Sequence, residues 1–384
     1  MIYLDNAAST AIHPDVLDAM RPYFTQEYGN PSSIHRSGRV SRRAIFDARE
    51  QISKLIGSTH DEILFTSGGT ESNNMVFNIV SGGKKRHVVT SSIEHESVLQ
   101  PCKKLESIGF DVTYLPVDEY GIINTEMIHD AIRDDTCLVS VMFANNEVGT
   151  VQNIRDIGKL CKRYNVSFHT DATQALGKIP IDVHDLCINL MSISSHKIHG
   201  PKGVGALYVQ NDLEILPLIL GGGQENGMRS GTENVSGIVG FGTACKIAME
   251  NMSKNIQAMM SMRNKLNDKI QSTLKHIEYN GHPTQRLPNN SHFTFLGLNG
   301  EDFIVKLDEN HISASTGSAC SLISQQESHV LKAMNLSYEQ ILGSLRLTVS
   351  SLNTLEEMEK ASDILISTVN DLRRVSPYRE KYGF

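Results

Sequence analysis

Several short stretches place chemically capable residues directly after apolar, strand-like runs. In ISSHKIHGPKGVG (193–205) Lys197 follows an apolar run and precedes a glycine-proline turn, a position where an ammonium is costly to desolvate. FTSGGTES (65–72) passes from an apolar stub through Gly68 and Gly69 to Thr70 and on into a helical pattern. Glycines admit a close backbone approach, and a helix N-terminus offers free N–H groups to an anion. SSIEHES sets His95 beyond a strand end, ANNEVGT (144–150) sets Asn145 and Asn146 at the next, and FHTDATQALG (168–177) puts Asp171 at another with Gln174 after it. Each has an ordinary explanation by itself: a snorkelling lysine, a loop histidine, an aspartate that caps a helix, a glycine turn with a threonine cap. Together they describe one chemistry. Pyridoxal phosphate needs N–H and hydroxyl donors for its phosphate and a lysine for a Schiff base. An acidic partner must also keep its pyridine nitrogen protonated. Burial lowers a lysine's pKa and so supplies the neutral amine that attacks an aldehyde.

Such residues work together only if the fold brings them to one rim. Between 60 and 210, β-branched runs at His87–Thr90, Asp111–Pro116, Cys137–Phe143, Ser167–Thr170, Leu190–Ser194 and Gly205–Val209 alternate with helical patterns such as Ser97–Ser107, Thr125–Arg133 and Ile154–Tyr164. This alternation predicts an α/β fold with a mostly parallel sheet between helices. The last two strands are too close in sequence for a helical crossover, so they are expected to be antiparallel. Ligands in open α/β sheets sit at the carboxyl ends of the strands, where every residue above falls. A Met- and Lys-rich amphipathic pattern predicts a long helix over Asn251–Thr273. SHFTFLGL, SLRLTVSS and a final helix over Leu355–Val375 then form a smaller α+β domain. The division expected is 16–258 for the larger domain and 1–15 with 259–384 for the smaller.

Composition narrows the classes. The net charge of −7 has its signs interspersed, which argues against nucleic acid as a partner. No apolar run reaches the roughly 18 residues of a membrane span. The first residues lack the basic and apolar regions of a secretory signal, so a cytoplasmic location is expected. Cys102, Cys137, Cys161, Cys187, Cys245 and Cys320 show no CxxC spacing, so neither a disulfide framework nor a metal site is expected.

The chain resembles the cysteine desulfurases of the NifS/IscS type, class-V aminotransferase-like enzymes of pyridoxal-phosphate fold type I. The motifs that carry the resemblance run in order from YLDNAAST (3–10), YGNPSS (28–33) and FTSGGTESNN (65–74) through EHESVL (94–99), NNEVGTVQ (145–152) and DATQALGK (171–178). They continue with SHKIHGPKGVGALYV (195–209), GGGQENGMRSGTENV (221–235), STGSACS (315–321) and DLRRVSPY (371–378). The resemblance implies that Lys197 carries the cofactor and moves protons at Cα, that Asp171 pairs with the pyridine nitrogen and Gln174 with the ring hydroxyl, and that His95 stacks on the ring. It implies a phosphate held by Gly69, Thr70, Ser194 and His196, with Thr232 reaching the other subunit of a homodimer. Asn146 and Arg346 would orient the substrate, Arg346 gripping its carboxylate.

Cys320 is set among small polar residues in SASTGSACSLISQQES, as an exposed reactive thiol would be. The implied reaction converts L-cysteine to L-alanine with the sulfur carried as a persulfide on Cys320, for an iron–sulfur scaffold protein or another acceptor. A transaminase has no use for this loop, a selenocysteine lyase shares these features, and a non-catalytic scaffold would not need the full set. Two departures stand out: Ser350 and Ser351 replace a usual glycine-arginine pair, and the chain closes at EKYGF without the longer tail of some relatives.

Overall fold

The computed structural model describes residues 1–211, 213, 215–316 and 327–384. Seven strands form the main sheet: β2 (Ile63–Thr66), β3 (His87–Ser91), β4 (Asp111–Leu115), β5 (Thr136–Ser140), β6 (Ser167–Asp171), β7 (Leu190–Ser194) and β8 (Gly205–Val209). Their order is β2-β8-β7-β6-β5-β3-β4, and only β8 runs against the others. The α/β fold and the antiparallel β7–β8 pair are as expected. The expected strand Cys137–Phe143 is shorter as a ladder, although Val141 and Phe143 still donate backbone bonds to His169 and Asp171.

Both faces of this sheet are buried, and the pleat decides which face each residue meets. Val89, Val139, Met191 and Tyr208 point into one core, while Val88, Leu138, Leu190 and Leu207 point into the other. With neighbouring strands parallel, Ser91, Ser140, Asp171 and Ser194 all end on one rim. Gly205 joins them because the reversed β8 begins there, opposite Ser194.

A smaller body holds the antiparallel sheet β12 (Ser344–Thr348)–β10 (Asn290–Phe295)–β9 (Ile277–Tyr279) and the parallel pair β1 (Ile2–Tyr3)–β11 (Ile312–Ser313). Its core gathers Leu266, Phe293, Phe295, Phe303 and Leu365. The helix Leu355–Val375 falls where the pattern places it and starts with a Thr354–Glu357 capping box.

The long helix is the main surprise. It spans Val235–Thr273, sixteen residues earlier than the amphipathic pattern indicates. Its first part joins the large core through Ile238, Phe241, Ala244 and Cys245, and its last part joins the small core through Met259, Met262, Leu266 and Ile270. Among the described residues, no helix is long and apolar enough to cross a membrane.

Candidate active site

A cavity of about 610 Å³ opens at the shared rim. Lys197, Asp171, His95, Gly69, Thr70, Asn146, Gln174, Ser194 and His196 line it, and Arg346 reaches in from β12 of the smaller body. Ten of the residues singled out in the sequence therefore meet in one space. Thr232 is exposed and does not line this cavity. Cys320 lies outside the described residues. None of the other five cysteines lines the cavity. Burial pushes the Cys137 thiol up to about 11 and Cys161 to about 12, the mark of inert packing rather than of a nucleophile.

Lys197 closes a single 3₁₀ turn directly after β7, and its Nζ donates to the carbonyls of Ala7 at 2.6 Å and Ala8 at 2.7 Å. The Asp171 side chain ends β6 and is 8% exposed. Its Oδ1 accepts from the Thr173 amide at 2.9 Å, and its Oδ2 accepts from Asn73 Nδ2 at 2.7 Å. Gln174 Nε2 donates to the Ala7 carbonyl, which ties it to the segment that holds Lys197.

His95 caps the helix Glu96–Ser107, and its Nδ1 accepts from the Ser97 amide at 3.1 Å. An accepting Nδ1 leaves the ring proton on Nε2. Burial lowers the His95 pKa and Lys197 lowers it further, against the opposing pull of Asp171, so the ring is neutral at neutral pH. Burial, with Lys197 and Lys202, likewise lowers His196 to about 4. Arg346 is 2% exposed, and its Nη atoms donate to Asp5 Oδ1 at 2.8 Å and to the Asn146 carbonyl at 2.9 Å. A guanidinium held this way presents a fixed fork to a carboxylate.

Four contributors escaped the sequence reading. Asn73, on the helix Gly69–Ser81, donates both to Asp171 and to Ser97 Oγ, which bonds His95 Nδ1 at 2.8 Å. Glu147, beside Asn146, is enclosed; burial raises its pKa, and Ser328 Oγ donates to it at 2.6 Å. Thr173 and the Ala7–Ala8 carbonyls complete the set. ESNN and NNEV read as polar surface patterns, so only the strand order reveals that they face inward.

The cavity fits a phosphorylated pyridine aldehyde. Gly68 has φ +152°, open to glycine but not to L side chains, and a Cβ on Gly69 would stand 2.9 Å from Thr173 Oγ1. Thr173 Oγ1 is buried with no partner among the described residues, a hydroxyl placed to donate beside a helix N-terminus. Asp171 accepts at the end of β6 on the same rim, and in sheet order Lys197, after β7, lies between it and the Gly68 turn that follows β2.

Known proteins resemble the chain over nearly its whole length. The family model for class-V aminotransferases matches residues 2–360. The cysteine desulfurase IscS of Dictyoglomus turgidum is 45% identical over 384 residues, covering 99% of this chain and 98% of that protein. Among solved structures, a NifS-like protein superposes with a TM-score of 0.91 at 36% identity, over 97% of this chain and 100% of that one. Another, titled SspA in complex with cysteine, gives a TM-score of 0.82 at 37% identity, over 92% of this chain and all of that one.

Proposed function

Because the chain belongs to the class-V aminotransferase family, as a pyridoxal-phosphate-dependent cysteine desulfurase, we propose that the residues of its 610 Å³ cavity divide the desulfuration of L-cysteine among them. The observation that supports this reading is the convergence of Lys197, Asp171 and Arg346 on one cavity from two separate bodies. When bound, the cofactor supplies an electron sink conjugated to the substrate's α-carbon. Asp171 would hold the proton of the pyridine nitrogen, Gln174 the ring hydroxyl, and His95 the ring face. Gly69, Thr70, Thr173, Ser194 and His196 would hold the phosphate.

Arg346 grips the substrate carboxylate, with Asn146 alongside. The Lys197 amine takes the α-proton and later returns one. Cys320 thiolate attacks the substrate sulfur, forming an S–S bond as the Cβ–S bond breaks. The electron pair stays with carbon, which is protonated, so L-cysteine and one enzyme thiol become L-alanine and one enzyme persulfide. The sulfur then passes to an iron–sulfur scaffold protein or another thiol acceptor in the cytoplasm.

The reading includes a homodimer in which Thr232 completes the partner's phosphate site. Its support is that Thr232 is exposed and follows Ser230, whose amide donates to the Ile219 carbonyl, beside a run of exposed apolar side chains, Leu216, Leu218, Ile219 and Leu220, with Leu220 at 82%, the kind of patch that marks an interface.

The test is to mix the holoenzyme with L-cysteine and a reductant and to measure alanine and sulfide together. Equimolar products are expected, with none from Cys320→Ala, which should keep the cofactor's visible band. Borohydride should bleach that band and leave the cofactor's mass on the peptide containing Lys197. Formation of a keto acid, or full activity in Cys320→Ala, would overturn the reading.

A further inference from the structure

A second cavity, of about 210 Å³, meets the first only at Lys197. Its walls come from Lys178 and His199 on the large body, Asn289 and Ser350–Ser351 on the small one, and the Ala244–Met259 stretch of the long helix. The volume has room for several water molecules. Lys178 is 6% exposed, and among the described residues its Nζ donates only to the Gln174 carbonyl, at 3.0 Å. An ammonium has three N–H donors, so two remain for whatever fills the space. Asn289 is 1% exposed; its Nδ2 donates to the Val349 carbonyl, and its Oδ1 is buried with no partner among the described residues. Among the described residues, no aspartate or glutamate lines the cavity.

These facts define complementary chemistry. A buried cation without a counter-ion is costly, and burial together with the charge of Lys197 lowers Lys178 to about 7. An anion would restore its charge. The spare amide oxygen of Asn289 calls for a donor in the same occupant, and Ala248, Met259 and Leu352 leave an apolar side for a short aliphatic group. A small α-amino acid answers all three demands, which a simple anion does not.

We propose that this cavity is a second amino-acid site, taking the carboxylate of a three-carbon amino acid on Lys178 and its ammonium on Asn289. It is separate from the carboxylate grip at Arg346. The site borders the catalytic machinery: Lys178 is bonded to Gln174, and Asn6 and Thr10 in its wall flank the Ala7–Ala8 carbonyls that hold Lys197. Ser350 and Ser351, the departure from the usual glycine-arginine pair, line this cavity and not the first, and Ser351 Oγ stands 3.5 Å from His199 Nε2. Their short side chains leave the space open.

The test titrates L-alanine calorimetrically into the holoenzyme after borohydride reduction, which blocks Lys197. The reduced wild type should bind L-alanine. Lys178→Met, Asn289→Leu and Ser351→Arg (which fills the space) should each weaken binding about tenfold or more, as loss of a charge-assisted or buried hydrogen bond implies. Arg346→Lys should leave binding unchanged. Melting temperature and the cofactor band check that each variant folds, and Ser351→Arg, which replaces neither ligating group, serves if Lys178→Met does not fold. The proposal is overturned if the reduced enzyme takes up no L-alanine, if formate binds as tightly as alanine, or if only Arg346→Lys weakens binding. In that last case the ligand sits in the first cavity, and the desulfurase reading stands unharmed.

Discussion

Asn73 links the two groups proposed to meet the cofactor ring. One amide nitrogen reaches Asp171 at 2.7 Å and Ser97 Oγ at 2.8 Å, so the carboxylate and the His95 cap share a donor. A buried donor shared by two acceptors fixes both in place. Asn73→Ala should therefore cut desulfurase turnover roughly tenfold, the scale of one lost charge-assisted bond. Steady-state kinetics of the loaded enzyme would show the change, and wild-type turnover would count against the link. Glu94 is a second residue-scale case. Burial pushes its carboxyl up to about 8, while bonds from Ser91 Oγ and the Met142 amide pull it down. The folded chain then keeps a proton that the unfolded chain releases above its ordinary value of 4.5. By linkage, this group erodes stability as the pH rises from there to about 8, because the native state binds more protons over that range. Glu94→Gln keeps the shape without the titration, so its Tm advantage should grow by a few degrees between about pH 5 and pH 8. Melting curves across that range check it, and a constant gap refutes it. Lys197 and Asp171 were legible in the sequence because each breaks an apolar run at its end. Asn73 and Glu147 were not, since nothing local distinguishes an inward-facing asparagine from a solvated one.

Among the elements, the glycine of β8 sets how closely the turn proposed to hold the phosphate approaches the sheet. A Cβ on Gly205 would stand 2.6 Å from the Ile193 carbonyl oxygen and 2.7 Å from Gly68 Cα. Gly205→Ala should push the 66–70 turn outward and weaken cofactor affinity, about tenfold for each charge-assisted bond lost at the phosphate. Equilibrium dialysis of the cofactor measures this, with wild-type affinity as the disproving result. The strands and the closing helix were readable because their periods match their burial. The first half of the long helix was not, and packing gives the reason. Gly237, Gly240 and Gly242 are poor helix formers, yet a Cβ at 240 would meet Met20 Sδ at 2.6 Å and one at 242 would meet Ala48 Cα at 2.5 Å. Close contact with neighbouring helices won over intrinsic propensity, and burial on several sides erased the amphipathic stripe.

For the molecule as a whole, the proposed dimer makes one further prediction. Leu220→Asp puts a charge on the most exposed residue of the 216–220 run, and an unpaired charge at a buried interface is strongly unfavourable. Sedimentation should show a shift toward monomer, with weaker cofactor retention if Thr232 serves the partner. An unchanged dimer would place the interface elsewhere. The rod formed by Val235–Thr273 bears on the molecule in another way. At 39 residues it is roughly 58 Å long, and no residue from 249 to 258 is buried. The two cores therefore share one continuous backbone whose midsection is at most half-buried, with Met252 packed against the large core. Severing the chain there would leave each fragment with half of the rod, packed on its own core. Fragments cut at that point should fail to fold alone but regain the native form when mixed, because each holds part of the other's core: Ile2 and Leu4 belong to the small core, and Val330, Leu331 and Met334 to the large one.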